Sequence, residues 1–326
     1  MQTYIVLIAC VILLLCLFFR VPVYISVFAA ALTYFLFQTG SSPAIIAQRI
    51  GGGIQSIPLL AIPFFICAGI FMNSSGVTKR IMNFCNVVTK RMTGGLGQVN
   101  VLLSTLMGGL SGSNLADAAM EAKILVPEME EKGYSKEFSS VLTATSAMIT
   151  PLIPPGIGMI LYGSIANVSI GKLFVAGIGI GVLLCISLMI MVHFISKKRG
   201  YQPATKEKQD PEEVKSAVKQ AILPLCLPIL IIGGIRIGIV TPTEAGTVAI
   251  VYALILGIIY KELKMSDVVD GLKESVATTA SIMMIVGGAS AFAWVLTKER
   301  IPQQLTEVIT SSISNKYVFL IIVILF

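Results

Sequence analysis

A single histidine, His193, is all that this 326-residue chain offers as a neutral-pH proton carrier, and charged residues make up only 13% of it. Hydrolytic chemistry built on a histidine base therefore has almost nothing to work with. The chain has no G-x-x-x-x-G-K-[ST] segment, which excludes ATP hydrolysis by the usual phosphate-loop route. It also has no H-E-x-x-H, which removes the common zinc-hydrolase arrangement. Its six cysteines (Cys10, Cys16, Cys67, Cys85, Cys185 and Cys226) lie in or beside apolar segments and show no C-x-x-C spacing. They read as small hydrophobes, not as a disulfide framework or a metal site. His193 stands near Lys197-Lys198-Arg199 at the end of an apolar run and reads as an interfacial residue. The chain is expected not to be an enzyme and to need no cofactor.

What is abundant is apolar sequence. The hydrophobic fraction is 55% and the mean hydropathy is +0.87. Apolar runs longer than about 18 residues recur along the whole length, the pattern of a polytopic helical membrane protein. The formal charge of +7 comes from basic residues clustered in short loops between those runs, as the positive-inside rule produces, so no nucleic-acid partner is expected. Residues 1–19 have neither a basic leading region nor an A-x-A-like site, and read as the first membrane helix.

The pattern predicts helices at about 4–19, 22–39, 57–74, 138–164, 170–196, 218–238, 242–260 and 273–297, with a helical hairpin at 97–130. The most basic loop, 197–219, holds Lys197, Lys198, Arg199, Lys206, Lys208, Lys215 and Lys219 and is expected on the cytoplasmic side. Counting back and forward from it puts the N-terminus outside and brings the hairpin in from the cytoplasm. The same parity reveals an internal symmetry. Two helices, an amphipathic arm (42–56), a helix, a basic linker and the hairpin begin from the outside. From about 218 two helices, an arm (266–275), a helix and a second basic linker (298–315) begin from the inside. This is the pattern of an inverted-topology repeat, whose second copy is expected to be incomplete at Phe326.

The hairpin is the densest region of the sequence. Its first apolar limb, 98–110, has 13 residues where roughly 20 span a bilayer. A polar tip, Ser111-Gly112-Ser113-Asn114, leads into a second limb, 115–126, carrying Asp117, Glu121 and Lys123. Half-length limbs joined by a polar tip read as a re-entrant hairpin, tolerated at membrane depth only where protein or a watery cavity covers the backbone. Hydroxyls, an amide and free carbonyls are hard ligands suited to sodium. The amides opening the second limb favour a carboxylate. The plainer reading, compatible with the first, is that Asn114 caps the second limb with Asp117 as a favourable acid in its first turn.

The segment 138–163 is interrupted by Thr150-Pro151-Leu152-Ile153-Pro154-Pro155-Gly156, where three prolines remove three backbone donors and free carbonyls one turn earlier. A packing kink needs less than this, so a discontinuous helix is expected, with Ser146 and Thr150 facing the break. Thr241-Pro242-Thr243-Glu244 reads as a capping box, with Thr241 at the N-cap and Glu244 as its partner. Arg236 lies near a helix end and is expected to snorkel. Glu121 and Lys123 are two residues apart and lie on different helix faces.

Three motifs together, Gly109-Leu110-Ser111-Gly112-Ser113-Asn114-Leu115-Ala116-Asp117-Ala118, Ile153-Pro154-Pro155-Gly156 followed by Leu161-Tyr162-Gly163, and Val240-Thr241-Pro242-Thr243-Glu244-Ala245, resemble the large membrane subunit (DctM-like) of tripartite ATP-independent periplasmic (TRAP) transporters. The resemblance covers the whole chain, although members of that family are usually some hundred residues longer. It implies an inverted-repeat, elevator-type secondary transporter in the bacterial inner membrane, with a periplasmic N-terminus. The implied activity is sodium-coupled import of a carboxylate-bearing organic anion: a C4-dicarboxylate, sialic acid or another sugar acid. The implied partners are a small membrane subunit, expected as a separate chain, a periplasmic substrate-binding protein and membrane lipids. Scaffold helices and the first arm are assigned to 1–56, and the first half of the transport domain to 57–196, with the hairpin at 97–130 and the broken helix at 138–164. A cytoplasmic loop follows at 197–219, further scaffold at 220–275, and the start of the second transport half at 276–326. Ser111, Gly112, Ser113, Asn114, Ser146, Thr150, Pro154, Pro155 and Gly156 are the candidate sodium and substrate residues. Asp117, Thr241 and Glu244 are assigned as caps. A sodium/anion transporter working without a binding protein is the alternative, and a passive channel would differ in needing no sodium gradient.

Overall fold

A computed structural model of the chain describes residues 2–38, 43–203, 210–312 and 315–325. Thr39 at the end of the second predicted helix, Ser42 of the first arm, Lys206 and Lys208 of the basic loop, and Phe326 lie outside the described residues. Among the described residues all regular structure is helical. The elements are α1 (Gln2–Phe18), α2 (Val23–Phe37), α3 (Pro43–Ile54), α4 (Ala61–Ser74), α5 (Val77–Thr89), α6 (Gly95–Ser111), α7 (Asn114–Glu131) and α8 (Lys136–Ser146). They continue with α9 (Ile157–Ile165), α10 (Ile170–Arg199), α11 (Pro211–Ile237), α12 (Pro242–Tyr260), α13 (Met265–Lys298), α14 (Ile301–Ser312) and α15 (Lys316–Leu325).

Five of these helical stretches are long and apolar enough to cross a membrane: Ile57–Ser74, in which a 3₁₀ turn runs into α4, and α10, α11, α12 and α13. A sixth span is α8 with its following turn and α9, taken together. Their surfaces match hydrocarbon. On α10, Leu183, Ile186, Ile190 and Phe194 recur at helical spacing and are 51–66% exposed. In water such a stripe is an aggregation liability, whereas lipid tails are a matched solvent for it. The chain is a polytopic membrane protein.

Local chemistry sets the helix ends. Ser169 caps α10, whose last turn carries Lys197, Lys198 and Arg199 before Gly200 closes it in the left-handed region. Asp210 caps α11 with Pro211 at its first position. Inside α11, Pro224 and Pro228 remove two donors. Pro224 orphans the carbonyl of Gln220, and the Tyr260 hydroxyl from α12 donates to it at 3.4 Å. Tyr252, two turns earlier on α12, donates to the Leu223 carbonyl at 2.7 Å. A neighbouring helix thus repairs a backbone that lipid cannot.

The chain divides into two compact units. One comprises Met1–Ser56 and Ala280–Phe326. Its core is Val6, Tyr34 and Val295 with Phe35 and Trp294, whose rings stack at 5.5 Å. The Tyr34 hydroxyl donates to Glu299, and the guanidinium of Arg49 on α3 stands 5.6 Å over the Trp294 ring. The other unit is Ile57–Thr279. In it α4 and α12 pack face to face where Gly246 meets Phe64, and α6 is the central helix, with thirteen of its seventeen residues buried, Gln98 and Asn100 among them. Leu96, Val101, Tyr134, Leu142, Ile149 and Val192 form a hydrophobic cluster around it.

Three elements differ from expectation. The basic linker after residue 74 is an amphipathic helix, α5, burying Val77, Ile81, Cys85 and Thr89 at four-residue intervals between the left-handed Gly76 and Gly94. The second basic linker likewise contains α14. The second arm, 266–275, is not a separate element but the start of the 34-residue α13. After the first arm, Pro58 and the 3₁₀ turn Ile57–Leu60 interrupt the helix, and no proline stands anywhere in α13. The hairpin limbs, at 17 and 18 residues, are also longer than the apolar count alone indicated, because glycines extend α6 at its start and acidic residues extend α7 at its end, yet both stay below roughly 20.

Close backbone contact constrains α6. A Cβ on Gly108 would stand 2.7 Å from the Thr150 carbonyl oxygen, whereas one on Gly179 of α10 would meet nothing within 4 Å. Gly108→Ala is expected to destabilise the protein by about 1–3 kcal/mol through overpacking. Gly179→Ala is expected to be neutral or stabilising by about 0.5–1 kcal/mol through reduced backbone entropy. Thermal unfolding in detergent micelles measures both.

Candidate functional site

The hairpin tip is built by one glycine. α6 ends at Ser111, and Gly112 turns the chain through the left-handed region (φ +63°) into α7. A Cβ there would stand 2.7 Å from the carbonyl oxygen of Pro155, so both the turn and its closeness to the break require glycine. The N-cap of α7 is Ser113, not Asn114: the Ser113 hydroxyl accepts from the Ala116 amide at 3.4 Å. Asn114 is exposed, as is its neighbour Leu115.

Asp117 does more than its expected part. It lies in the first turn of α7, and its side chain also reaches outside α7. Its Oδ2 accepts from the Ser111 hydroxyl at 2.6 Å and from the Thr150 hydroxyl at 3.1 Å. Ser111 belongs to the tip and Thr150 to the break. One carboxylate, 2% exposed, therefore ties together three separate pieces of chain.

The discontinuous helix is present. α8 ends at Ser146, a 3₁₀ turn covers Thr150–Leu152, extended backbone follows at Ile153 and Gly156, and α9 leaves at a bend of 46°. Two of the three carbonyls one turn before the prolines are not left free, however; among the described residues that of Pro151, one turn before Pro155, accepts no backbone N–H. Those of Ala147 and Thr150 accept from Thr150 N–H and Ile153 N–H, each at 3.3 Å, because the tighter 3₁₀ pattern captures them. Among the described residues, the carbonyls of Pro154 and Pro155 accept no backbone N–H. Pro154, Pro155 and Gly156 are all buried. The break thus offers its free carbonyls at the prolines themselves, beside Gly112.

Ser146 is not at the tip. It is fully buried and donates to Asn100 Oδ1 at 2.6 Å, while Asn100 Nδ2 donates to the Thr143 hydroxyl at 2.7 Å. This second polar layer continues through Ser104, whose hydroxyl stands 2.6 Å from Glu121 Oε2 and 3.1 Å from the Asn100 carbonyl. Thr150 joins the two layers, since its hydroxyl also lies 3.3 Å from the Ser104 carbonyl. Glu121 is fully buried, and its Oε1 has no hydrogen-bond partner. Among the described residues neither Asp117 nor Glu121 is paired with a basic side chain.

Sequence reasoning missed Asn100, Ser104 and Thr143, and the signal was present. Ser139, Thr143, Ser146 and Thr150 follow one another at intervals of four, three and four, one face of a helix, and all four are buried. Asn100 and Ser104 are spaced by four on α6, as are Asp117 and Glu121 on α7. Three polar stripes meet in a bundle whose other faces are apolar.

The remaining candidates stand apart from this cluster. Thr241 and Glu244 form a capping box at the start of α12. The Thr241 amide donates to Glu244 Oε2 at 2.7 Å, and the Glu244 amide to the Thr241 hydroxyl at 3.3 Å. Arg236, Lys123 and His193 are exposed. The cluster can chemically present hydroxyl, carbonyl and carboxylate oxygens, an all-oxygen set suited to hard cations.

The family model for the tripartite ATP-independent periplasmic transporter, DctM component, matches residues 10–326. Among curated relatives, the sialic acid TRAP transporter large permease protein SiaM of Vibrio cholerae is 41% identical over 308 residues, 94% of this chain and 72% of that protein. The sialic acid TRAP transporter permease protein SiaT of Haemophilus influenzae is 38% identical over 97% of this chain, which spans about half (51%) of its length. The C4-dicarboxylate TRAP transporter large permease protein DctM of Pseudomonas aeruginosa is 34% identical over 90% of this chain and 69% of its own. The polar hairpin tip, the broken helix and these matches agree: the chain belongs to the family of DctM components of tripartite ATP-independent periplasmic transporters.

Proposed function

We propose that this chain imports a carboxylate-bearing organic anion with sodium as the coupling ion, moving its hairpin and broken helix as one body. The observation that carries the reading is the Ser111–Asp117–Thr150 junction, which binds tip, second limb and break into a single polar centre. Two buried acids without a basic partner make that centre attractive to a cation, because an uncompensated buried charge costs several kcal/mol. Sodium fits hydroxyl and carbonyl oxygens better than soft or nitrogen ligands would suit it. Gly112, Ser113, Asn114 and the carbonyls of Pro154 and Pro155 form the outer edge of the centre, with Thr150 and Gly156 behind them. Ser146 supports it from the second layer. The exposed Asn114 and the opening amides of α7 suit the substrate carboxylate. Sodium bound first would order the tip and raise anion affinity, a coupling on the order of 1–3 kcal/mol.

In this reading 57–196 belong to the moving body and 220–275 to the static scaffold of an inverted-repeat elevator. Small residues at the boundary favour sliding: Gly246 lies against Phe64, and Gly109 against Pro228. The hairpin enters from the cytoplasmic face, the N-terminus is periplasmic, and the protein works in the inner membrane with a small membrane subunit and a periplasmic binding protein. Relatives named for sialic acid and C4-dicarboxylate point to the substrate class.

The decisive experiment is uptake of radiolabelled sialic acid and C4-dicarboxylate into proteoliposomes holding the full-length protein with its small partner. It is run with and without an inward sodium gradient and with and without the binding protein. Uptake that requires both supports the proposal; uptake with sodium alone removes the binding protein, and uptake with neither removes coupling. Ser113→Ala with Asn114→Ala is expected to abolish uptake while leaving the amount of folded protein unchanged, and normal uptake by that double variant would refute the tip assignment.

The junction itself can be tested by a double-mutant cycle. Asp117→Ala and Thr150→Val should each destabilise by about 1–3 kcal/mol, the cost of leaving buried polar partners unmade. The two losses should be strongly sub-additive, with a coupling of about 0.5–3 kcal/mol by thermal unfolding, because they remove one shared bond. Full additivity would mean that the contact contributes nothing.

A further inference from the structure

A groove of ≈780 Å³ runs along the first three turns of α11, far in sequence from the hairpin tip. Val214, Lys215, Val218, Lys219 and Ile222 line one wall, and Arg91, just beyond α5, closes the other. The α11 residues fall as two adjacent pairs, 214/215 and 218/219, four residues apart, followed by Ile222, so they form one stripe of the helix. That stripe changes character with depth. Lys215 and Lys219 stand at its outer end, and at 1.5 Å per residue Ile222 lies about 4.5 Å deeper than Lys219. Beyond Ile222 the helix continues as a membrane span. Val218, between the lysines, is 39% and Ile222, below them, 50% exposed, so the wall beside and below the lysines is open and apolar.

The charge is equally one-sided. Among the described residues Arg91, Lys215 and Lys219 enter no ion pair. The nearest acid on α11, Glu213, is held by Lys90 at 2.9 Å. Glu212, in the first turn, does not line the groove. Three cations above an open apolar wall, at the level where a span leaves the hydrocarbon, match a negatively charged headgroup attached to acyl chains. A free anion would leave the apolar wall uncovered, and a zwitterionic lipid would leave the cations uncompensated.

We propose that this groove is a specific binding site for an anionic phospholipid. The phosphate lies among Arg91, Lys215 and Lys219, and an acyl chain runs down past Val218 and Ile222. The lipid joins the end of α5 to the start of α11, next to the Lys90–Glu213 bridge, and so stabilises the junction between those helices.

The test is thermal unfolding of the full-length protein in mixed micelles, titrated with phosphatidylglycerol, phosphatidylcholine or inorganic phosphate. Phosphatidylglycerol should raise the midpoint saturably, and the other two should not. Each charge removed should raise the half-saturating lipid fraction about fivefold. The triple variant Arg91→Gln/Lys215→Gln/Lys219→Gln should therefore need on the order of 100-fold more lipid. A control with equal charge removed elsewhere, Lys132→Gln/Lys197→Gln/Lys198→Gln, should stay within about twofold of wild type if the groove rather than general surface charge is responsible. Equal stabilisation by phosphatidylcholine or by phosphate, or an equal loss in the control, would overturn the proposal. Photo-crosslinking of wild-type protein with a headgroup-diazirine phosphatidylglycerol provides a second measurement that needs no variant. Labelling in 211–222 or at Arg91 supports the site, and labelling confined to other segments refutes it.

Discussion

The Asp117 carboxylate accepts hydrogen bonds from Ser111 and Thr150, and the arrangement of the whole polar centre depends on that shared acceptor. Hydrogen bonds to a buried charged group are stronger than neutral ones, and they cost more to leave unmade. With Oδ2 shared, neither the tip of the hairpin nor the 3₁₀ turn of the break can shift alone without stranding a hydroxyl in an apolar interior. Ser104 and Glu121 repeat the device one turn deeper, between the two limbs of the hairpin. The hairpin is therefore held to itself and to the broken helix by polar bonds that water would compete for and that lipid cannot replace.

Small residues make those bonds geometrically possible. Gly108 and Gly112 bring the backbone of α6 and its turn against Thr150 and Pro155, and Gly69 of α4 lies equally close to Ser111. A Cβ at any of these positions would meet backbone atoms at 2.7–2.8 Å. In a membrane, where apolar burial between helices yields little over contact with lipid, such close approach supplies the packing that holds helices together. Away from the centre the helices expose leucine, isoleucine and phenylalanine, so apolar side chains cover the surface as well as filling the core.

Membership of the DctM family places this centre in a transporter component, and the geometry describes which oxygens it can present. Its two layers divide the work that the sequence motifs lumped together. The outer layer, Ser111 to Asn114 with the Pro154 and Pro155 carbonyls, is the part with accessible edges. The inner layer, Asn100, Ser104, Glu121, Thr143 and Ser146, is sealed. Glu121 Oε1, buried and unpartnered, marks the least satisfied point of that inner layer.

Much of this was legible in one dimension. Composition and long apolar runs determined a polytopic helical protein, because hydrocarbon admits little else that satisfies the backbone. Glycine, proline and polar punctuation located the hairpin, the break and the capping box of α12, because those residues act on their own local backbone. What required the tertiary structure was every statement about partners. Sequence placed Asp117 near the start of a helix, where an acid commonly serves the helix amides, but only the approach of Thr150 from another segment made it a bridge. Sequence grouped Ser146 with the break, but packing against Asn100 drew it into the inner layer. The prolines announced free carbonyls, yet the 3₁₀ turn recaptured those of Ala147 and Thr150 and left the ones at Pro151, Pro154 and Pro155. Local geometry follows from nearest neighbours along the chain, whereas a hydrogen bond between residues 33 or 46 positions apart is decided by which helices lie side by side.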